Sequence, residues 1–241
     1  MLCAPLLKKL QWFADFAPED AQLLESLCID VRTYKAGQDV MHEGSDPSQL
    51  FVMLDGWAQR YKLLPDGSRQ ITAYMLPGDL CDIYVFILRQ MDHTIGTLSD
   101  AKIAVFDKDA LLKVTRANHR IAEALWWSTL VDEAVLRQWI VNVGQRQAYE
   151  RVAHLFSELW LRLHMIGRTD GNAFYLPVTQ AQLGDTIGLT PVHVNRTLQR
   201  MREEKLIELD SRRLKICDID KLRKIASFDP NYLHLDRHKI T

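Results

Sequence analysis

The residue types best suited to chemistry lie together near the C-terminal end, in LTPVHVNRTLQRMREEKLI at residues 189–207. On a helix, Val194, Leu198 and Met201 fall on one apolar stripe, and the opposite side is polar and basic. An arginine there can donate two hydrogen bonds to guanine, and an asparagine can pair with adenine in the same way. The spacing therefore predicts a helix that reads base edges in DNA. Its predicted contacts are His193, Asn195, Arg196, Gln199 and Arg200.

Helix and turn signals surround this segment. Thr179 can cap a preceding helix that ends at Gly188, and Thr190 can cap the second helix, with Pro191 at its first position, where a missing N–H is no loss. After it, LIELDSRRLKI predicts two short strands around residues 210–213. Helix, glycine turn, basic helix and hairpin in this order are typical of a winged helix-turn-helix. The other predicted DNA contacts are Thr179, Gln180, Thr190, Val192, Arg212 and Arg213.

The alternative for the basic helix is a solvated surface without a ligand. The net charge of −1 hides an uneven distribution, since residues 168–241 contain thirteen Lys and Arg against ten Asp and Glu. A basic hairpin tip would contact phosphates whatever the base sequence, and salt would weaken that contribution.

The first part of the chain is punctuated by glycines. Short apolar or β-branched runs at residues 34–106 are separated by glycine turns. The segment LFVMLDGWAQRYKLL predicts two strands around Asp55-Gly56, and PDGSRQITAYML predicts a further hairpin. Such spacing is typical of an antiparallel β-roll or jelly roll. Ahead of it, residues 6–27 predict helix with a break at Pro18.

The segment between these parts predicts a long helix. Residues 118–165 contain no proline and one glycine, and apolar residues recur at helical spacing. A long helix beside a small roll has more apolar surface than the roll can cover. We therefore predict that residues 118–145 pack against a second copy, with an intramolecular bundle helix as the alternative. The predicted interface residues are Leu125, Trp126, Thr129, Leu136, Ile140 and Val143.

Metal, redox and catalytic patterns receive little support. Cys3, Cys28, Cys81 and Cys217 lack CxxC spacing, which favours free thiols over a zinc site or a redox dithiol. A cupin-like metalloenzyme would need clustered ligands, and His42 stands apart from any His-x-His pair. No catalytic residue, metal ligand or cofactor is predicted. Without a signal peptide or an apolar run of about 18 residues, we expect a cytoplasmic protein with no membrane partner.

Taken together, residues 10–226 resemble the superfamily of the cyclic AMP receptor protein and the fumarate and nitrate reduction regulator (CRP/FNR). The matching pieces are YKAGQDVMHEGSDPSQLFVMLDGWAQ, LPGDL, the long helix and the winged segment 178–216. The resemblance implies an α+β fold with a β-roll sensor domain (1–117), a dimerisation helix (118–145) and a winged helix-turn-helix domain (146–241). It also implies a homodimeric transcription regulator on a palindromic operator, with half-sites about 34 Å apart, and RNA polymerase as a further partner of an activator.

The sensor positions depart from the members that bind cyclic nucleotides. Those members carry Gly-Glu after the PGD-like turn and Arg-Ser/Thr-Ala later, where this chain has CD at 81–82 and DHT at 92–94. A carboxylate repels a phosphate diester, and the long-helix positions that contact the base also differ. Cyclic AMP is therefore disfavoured, and a cyclic-nucleotide-responsive regulator is the alternative. The candidate sensor residues are Cys81, Asp82, Asp92, His93, Thr94, Leu136 and Arg137.

Other signals remain open at this point. Iron–sulfur sensing needs an N-terminal cysteine cluster, which Cys3 and Cys28 alone do not supply. Haem ligation could involve His42, Cys81 or His93, although a lone His or Cys in a roll is more often structural. A third possibility is that activity follows protein abundance. The effector is therefore left unidentified.

The base-reading positions of the family usually include a Glu, a Ser or Gly three residues on, and then an Arg. In this chain they fall on Val192, Asn195 and Arg196. Arg196 matches, and Asn195 can still read adenine. Because Val192 replaces a carboxylate, contact with a cytosine amino group is lost and contact with a thymine methyl becomes available. We therefore expect an operator that departs from the family consensus at that base pair.

Overall fold

The computed structural model describes residues 2–47, 49–83 and 88–235. Within them, two short helices precede seven antiparallel strands. The helices are α1 (Ala4–Leu10) and α2 (Pro18–Ser26). The strands are β1 (Cys28–Tyr34), β2 (Asp39–Met41), β3 (Leu50–Asp55), β4 (Ala58–Leu63), β5 (Arg69–Met75), β6 (Thr94–Thr97) and β7 (Ala101–Phe106).

These strands form two sheets around one apolar interior. One sheet has the order β1-β7-β3 and the other the order β2-β6-β4-β5, all antiparallel. Met53, Ile95 and Ile103 come from strands of both sheets and are fully buried in the same cluster. Alternate side chains of each strand therefore face a shared core. The predicted antiparallel roll, and with it the α+β class, is confirmed.

Gly56, in the turn between β3 and β4, is a position that only glycine fits. Its φ is +83°, and an added Cβ would lie 2.3 Å from the backbone oxygen of Asp100. Gly37 has the same φ of +83°, but nothing lies within 4 Å of its Cβ position. The two glycines therefore separate backbone strain from steric clash.

We expect Gly37→Ala to lower the free energy of unfolding by about 1 to 2 kcal/mol, the cost of the left-handed conformation alone. Gly56→Ala should lower the free energy of unfolding by roughly 1 to 3 kcal/mol more, because the new methyl group clashes with a backbone atom, which cannot rotate away as a flexible side chain can. Urea unfolding of both variants measures the difference. Equal losses would contradict the close approach at Gly56.

Three helices follow the roll. They are α3 (Lys108–Ala117), α4 (His119–Gln145) and α5 (Ala148–Met165). Asn118 separates the first two, because its side chain accepts a hydrogen bond from Ile121 N at 3.2 Å and so caps α4. An extended link at Arg146 and Gln147 separates α4 from α5. In the described parts of the chain, no helix combines the length and apolar character that a bilayer span requires.

The C-terminal part is a winged helix-turn-helix. Its elements are β8 (Ala173–Tyr175), α6 (Gln180–Ile187), α7 (Pro191–Glu203), β9 (Ile207–Asp210), β10 (Arg213–Ile216), α8 (Ile219–Ala226) and a 3₁₀ turn (Pro230–Leu233). The wing sheet has the order β8-β10-β9, so β8 adds a third strand that the sequence pattern did not predict. Helix α7 ends at Glu203, and Lys205, two residues later, adopts φ +55°.

A buried ion cluster joins the roll to the helices. Asp79, in the turn after β5, accepts from Lys9 Nζ at 2.7 Å and from Arg162 Nη2 at 3.0 Å. Leu76 N also donates to this carboxylate at 2.8 Å. Burial alone would raise the pKa of Asp79, but the charges of Lys9 and Arg162 hold it below its ordinary value. One carboxylate thus connects α1, the roll and α5.

A second buried carboxylate connects the end of the described chain to the long helix. Glu158 on α5 is fully buried. It accepts from Trp139 Nε1 on α4 at 3.1 Å and from the Tyr232 hydroxyl at 2.8 Å. Burial raises the pKa of Glu158. Leu233 is buried beside this contact, and the His234 ring lies edge-on to Trp127 of α4 at 5.5 Å. We name residues 228–235 the C-terminal strap.

Candidate functional site

The two helices of the helix-turn-helix are fixed by local signals. Thr179 Oγ1 accepts from Gln182 N at 3.2 Å, and Thr190 Oγ1 accepts from His193 N at 3.3 Å, so both predicted caps are present. Gly188 ends α6 with φ +67°. A Cβ on Gly184 would lie 2.4 Å from Leu189 O, so the turn passes close to the first helix. These contacts set the angle between α6 and α7.

Helix α7 divides into a buried and an exposed face. Val194, Leu198 and Met201 are buried in the core of the winged domain, as the periodicity predicts. Val192, in the first turn of the helix, is 70% exposed and so can meet a ligand. The other exposed residues predicted to contact DNA are Thr179, Gln180, Thr190, His193, Arg196, Gln199, Arg200, Arg212 and Arg213.

Asn195 is half-buried because it bonds to the preceding helix. Its Nδ2 donates to Gln180 Oε1 at 3.0 Å, so two predicted contacts support each other. Arg200 differs from Arg196 in its surroundings. The Arg200 guanidinium lies over the Tyr149 ring at 4.4 Å, and its Nε donates to Glu204 at 2.8 Å. The structure therefore holds Arg200 against α5.

The wing turns through two residues in the left-handed region. Ser211 has φ +46° and Arg212 has φ +65°, while Asp210 and Arg213 pair across the hairpin. These are the backbone angles of a type I′ turn, whose twist matches the right-handed twist of the two flanking strands. Arg213 Nη2 is held by Asp170 at 2.6 Å, outside the hairpin. The turn therefore leaves Arg212 as the exposed cation at the tip.

A cavity of about 430 Å³ lies between strands β4 and β5 and helix α4. Of the predicted sensor residues, Asp82, Asp92, His93 and Leu136 line it. Cys81, Thr94 and Arg137 do not, and each has a structural reason. Cys81 is buried in the core of the roll, Thr94 Oγ1 accepts from Glu43 N at 3.0 Å, and Arg137 pairs with Glu133 at 3.0 Å on the exposed side of α4.

The cavity also contains groups that sequence patterns missed. Arg60 and Lys62 enter from β4, and Thr72 enters from β5. Helix α4 contributes Ser128, Thr129, Asp132 and Glu133. Their positions depend on how α4 packs on the roll, which no local pattern encodes.

The three predicted haem candidates, His42, Cys81 and His93, lie in different surroundings. Burial lowers the pKa of His93, and its Nδ1 contacts Asp92 Oδ1 at 2.6 Å. Burial also raises the pKa of Cys81. His42 lies exposed beside Asp39 at 3.5 Å. Among the described residues, no group of three or more His, Cys, Asp or Glu side chains is arranged to hold a metal ion.

Helix α4 exposes an apolar stripe. Trp126 is 71% exposed and Ile140 is 65% exposed, and Leu130 and Leu136 lie between them. Leu130 was not predicted. The prediction of Leu125 as an interface residue was wrong, because its side chain is buried inside the protomer and cannot belong to the stripe. Of the remaining predicted interface residues, Thr129 is half-buried and lines the cavity, and Val143 is half-buried beside the stripe.

The roll also contacts the helix-turn-helix directly. Arg69 on β5 pairs with Asp185 of α6 at 2.8 Å, and the hydroxyl groups of Tyr74 and Thr186 lie 2.5 Å apart. Because Thr72 of the same strand lines the cavity, β5 lies between the cavity and the first helix of the motif. A movement of β5 would therefore change its contacts with α6 directly, without a movement of α4.

Two family models match this chain. A Crp-like helix-turn-helix domain matches residues 150–225, and a cyclic nucleotide-binding domain matches residues 31–118. A probable transcriptional activator from Rhizobium leguminosarum bv. viciae is 26% identical over 203 residues, which cover 81% of this chain and 81% of the relative. The nitrogen fixation regulation protein FixK of Rhizobium meliloti (strain 1021) is 25% identical over 200 residues, which cover 82% of this chain and 87% of the relative.

Solved structures show the same fold. The structure of FixK2 from Bradyrhizobium japonicum superposes with a TM-score of 0.74 at 22% identity and covers 83% of this chain and 98% of that chain. A CRP family transcriptional regulator from Thermus thermophilus gives a TM-score of 0.64 at 19% identity, with 82% and 97% of the two chains covered. These likenesses concern the arrangement of roll, long helix and winged domain.

Proposed function

The chain belongs to the CRP/FNR superfamily of DNA-binding transcription regulators, and on that premise we propose that it acts as a homodimer on a palindromic operator under the control of a signal in the β-roll. The observation that carries the proposal is the capped helix α7. It buries one apolar face and exposes Val192, His193 and Arg196 on the other. This is how a recognition helix enters a major groove, with its first turns toward the bases.

The dimer is supported by the uncovered surface of α4. The exposed stripe from Trp126 to Ile140 is apolar, and a groove of about 340 Å³ continues it between α4 and β5. The groove is lined by Ile71, Trp139, Ile140 and Val143, among others. A second copy of α4 would cover both surfaces around a two-fold axis, because the same stripe is presented by each protomer. Two-fold symmetry then requires a palindromic operator.

Base reading is assigned to three residues of α7. Arg196 is exposed and would donate two hydrogen bonds to guanine O6 and N7. Asn195 would read adenine, with its amide oriented by Gln180. Val192 would contact a thymine methyl, so the operator should carry thymine where relatives with a carboxylate select cytosine. Arg212 at the wing tip would contact a phosphate and contribute to affinity without selecting sequence.

Signal control is supported by the cavity and by its connection to the winged domain. A ligand between β4, β5 and α4 would change contacts on both the strand that binds α6 and the helix that bears the apolar stripe. Either change would alter the spacing of the two recognition helices, which is a rotation-type allosteric transition. If the protein activates transcription, RNA polymerase is its further partner.

Selection of bound duplexes from random DNA tests the function as a whole. We expect a two-fold symmetric motif with half-site centres about 34 Å apart and a thymine at the position assigned to Val192. A single asymmetric site would contradict the dimer, and recovery of unrelated sequences would contradict specific reading.

Replacement of Arg196 tests the base-reading assignment. We expect Arg196→Ala to weaken binding to the selected operator by about 1 to 3 kcal/mol and to relax preference at one base pair. Arg212→Ala is the matched control, because loss of a phosphate contact should weaken all duplexes alike and reduce the salt dependence by about one ion. Fluorescence anisotropy on operator and random duplexes measures both. An equal loss on the two duplexes for Arg196→Ala would refute its assignment.

A further inference from the structure

The carboxylates of the cavity beside α4 are already accompanied by cations or an imidazole. Four carboxylates from the described residues line it. The contacts are Asp92 with His93 at 2.6 Å, Asp82 with His93 at 3.7 Å, Glu133 with Arg137 at 3.0 Å and Asp132 with Lys9 at 3.8 Å. The cavity cation Lys62 pairs with Glu43 and also donates to the backbone oxygen of Asp92. These groups therefore have charged or polar neighbours within the protein.

Arg60 differs from these groups. Its Nη2 donates to the backbone oxygen of Cys81 at 3.2 Å, and its Nε is buried with no hydrogen-bond partner in the described structure. Within the described residues, no carboxylate oxygen lies within 4.0 Å of the guanidinium. Burial raises the pKa of Asp132, and the charge of Arg60 reaches that carboxyl only as one of several that oppose this rise. An ionised guanidinium removed from water is unfavourable unless an anion accompanies it. The cavity therefore presents one cation suited to an anionic group from outside the protein.

The remaining walls of the cavity are largely apolar. Leu80, Ile83 and Leu88 approach from the roll and Leu136 approaches from α4. Ser128 and Thr129 add hydroxyl groups on the α4 side. Beyond the charged groups described above, the wall of this cavity of about 430 Å³ is largely apolar, and Arg60 is a cation outside any ion pair of the described residues. This combination favours a small molecule with an apolar body and a single anionic group.

We propose that the cavity binds a small monocarboxylate with an apolar body, and that Arg60 pairs with its carboxylate. The planar guanidinium can donate two parallel hydrogen bonds to a carboxylate. This inference rests on the proposed function, because it identifies the ligand class of the signal site. It also places the anionic contact on strand β4 and not at residues 92–94, where the cyclic-nucleotide-binding members pair with the phosphate. A ligand held there would touch Thr72 on β5 and Thr129 on α4, the two elements that connect the cavity to α6 and to the apolar stripe.

The test measures ligand binding to the full-length protein. Hexanoate and 4-phenylbutanoate are titrated by calorimetry and by thermal shift, with hexanamide and 4-phenylbutanamide as neutral analogues of the same shape. We expect both carboxylates to raise the melting temperature, and the amides to bind at least about tenfold more weakly, because the charge-assisted pair is lost. Failure of both carboxylates to raise the melting temperature or bind would overturn the ligand class.

Variants of the two β4 cations locate the contact. Arg60→Met should weaken carboxylate binding at least about tenfold and leave amide binding unchanged. Arg60→Lys should retain part of the affinity. Lys62→Met is the matched control, because Lys62 lines the same cavity but is already paired with Glu43. A loss for Lys62→Met as large as that for Arg60→Met would overturn the role of Arg60.

Operator binding by the same samples keeps the two proposals separate. A wild-type protein that binds a palindromic duplex but no carboxylate would contradict the ligand class and leave the regulator intact. A wild-type protein that binds carboxylates through Arg60 but no selected duplex would contradict the proposed function instead. If cyclic AMP binds in place of the carboxylates, the ligand class is overturned.

Discussion

An Ile140→Glu variant is expected to be monomeric at micromolar concentration and to lose specific binding to the operator. Ile140 lies 65% exposed on the apolar stripe of α4. Two-fold symmetry would bring both new carboxylates into the interface, and each unpaired buried charge costs about 2 to 5 kcal/mol. The dimer dissociation constant should therefore rise at least about a hundredfold. Sedimentation and operator binding measure the two effects.

Ile29→Glu provides the matched control. Ile29 is 59% exposed on β1 of the roll, so the substitution changes the same side chain at similar exposure but away from α4. We expect this variant to remain dimeric and to bind operator normally. If both variants dissociate, or if neither does, the apolar stripe is not the dimer interface.

Asp79→Asn is expected to lower the free energy of unfolding by about 3 to 5 kcal/mol. The substitution leaves Lys9 and Arg162 buried without their carboxylate. Asp55→Asn is the control, because its ion pair with Arg168 is about half exposed on both sides and should contribute less than about 1 kcal/mol. Urea unfolding at one fixed protein concentration compares the variants.

The stability difference between wild type and Asp79→Asn has a defined pH dependence. Because the folded-state pKa of Asp79 lies below its ordinary value of about 4, its ionisation stabilises the protein fully above that pH. The contribution is lost as the pH falls through the lower folded-state pKa. We therefore expect the stability difference between wild type and Asp79→Asn to be constant near neutral pH and to shrink in acid. A difference that grows in acid would contradict the ion cluster.

Local signals were enough to predict the DNA-binding motif. Thr190, Pro191 and Gly188 act within one turn of their own positions, so a cap, a first helical residue and a left-handed C-terminus can be read without knowledge of the rest of the fold. The glycine turns of the roll can be predicted in the same way, because each depends on a few adjacent residues. For this reason the order of elements was predictable, and the strand β8, which has only a short apolar pattern, was not.

Which side chains line the cavity depends on how α4 packs on the roll, and the sequence pattern alone did not predict this packing. Leu125 and Trp126 are neighbours on one helix, yet one faces the core and the other solvent, because α4 packs on the roll along a line that periodicity does not define. Arg60 lies at a register shift between β4 and β5, between Arg60 and Tyr61. Such a bulge redirects a side chain and leaves no clear mark in a hydrophobic pattern. Arg60 was therefore not among the predicted sensor residues, which followed the family's phosphate-pairing positions at residues 92–94.

The C-terminal strap restricts how the winged domain can move. The covalent link at Arg146 joins the domain to α4, and the strap adds a second contact, where the His234 ring lies edge-on to Trp127 of α4. The roll holds the same domain, because Arg69 pairs with Asp185 of α6 and Asp79 pairs with Arg162 of α5. We therefore expect a signal to loosen several attachments together before the distance between two recognition helices on DNA can change.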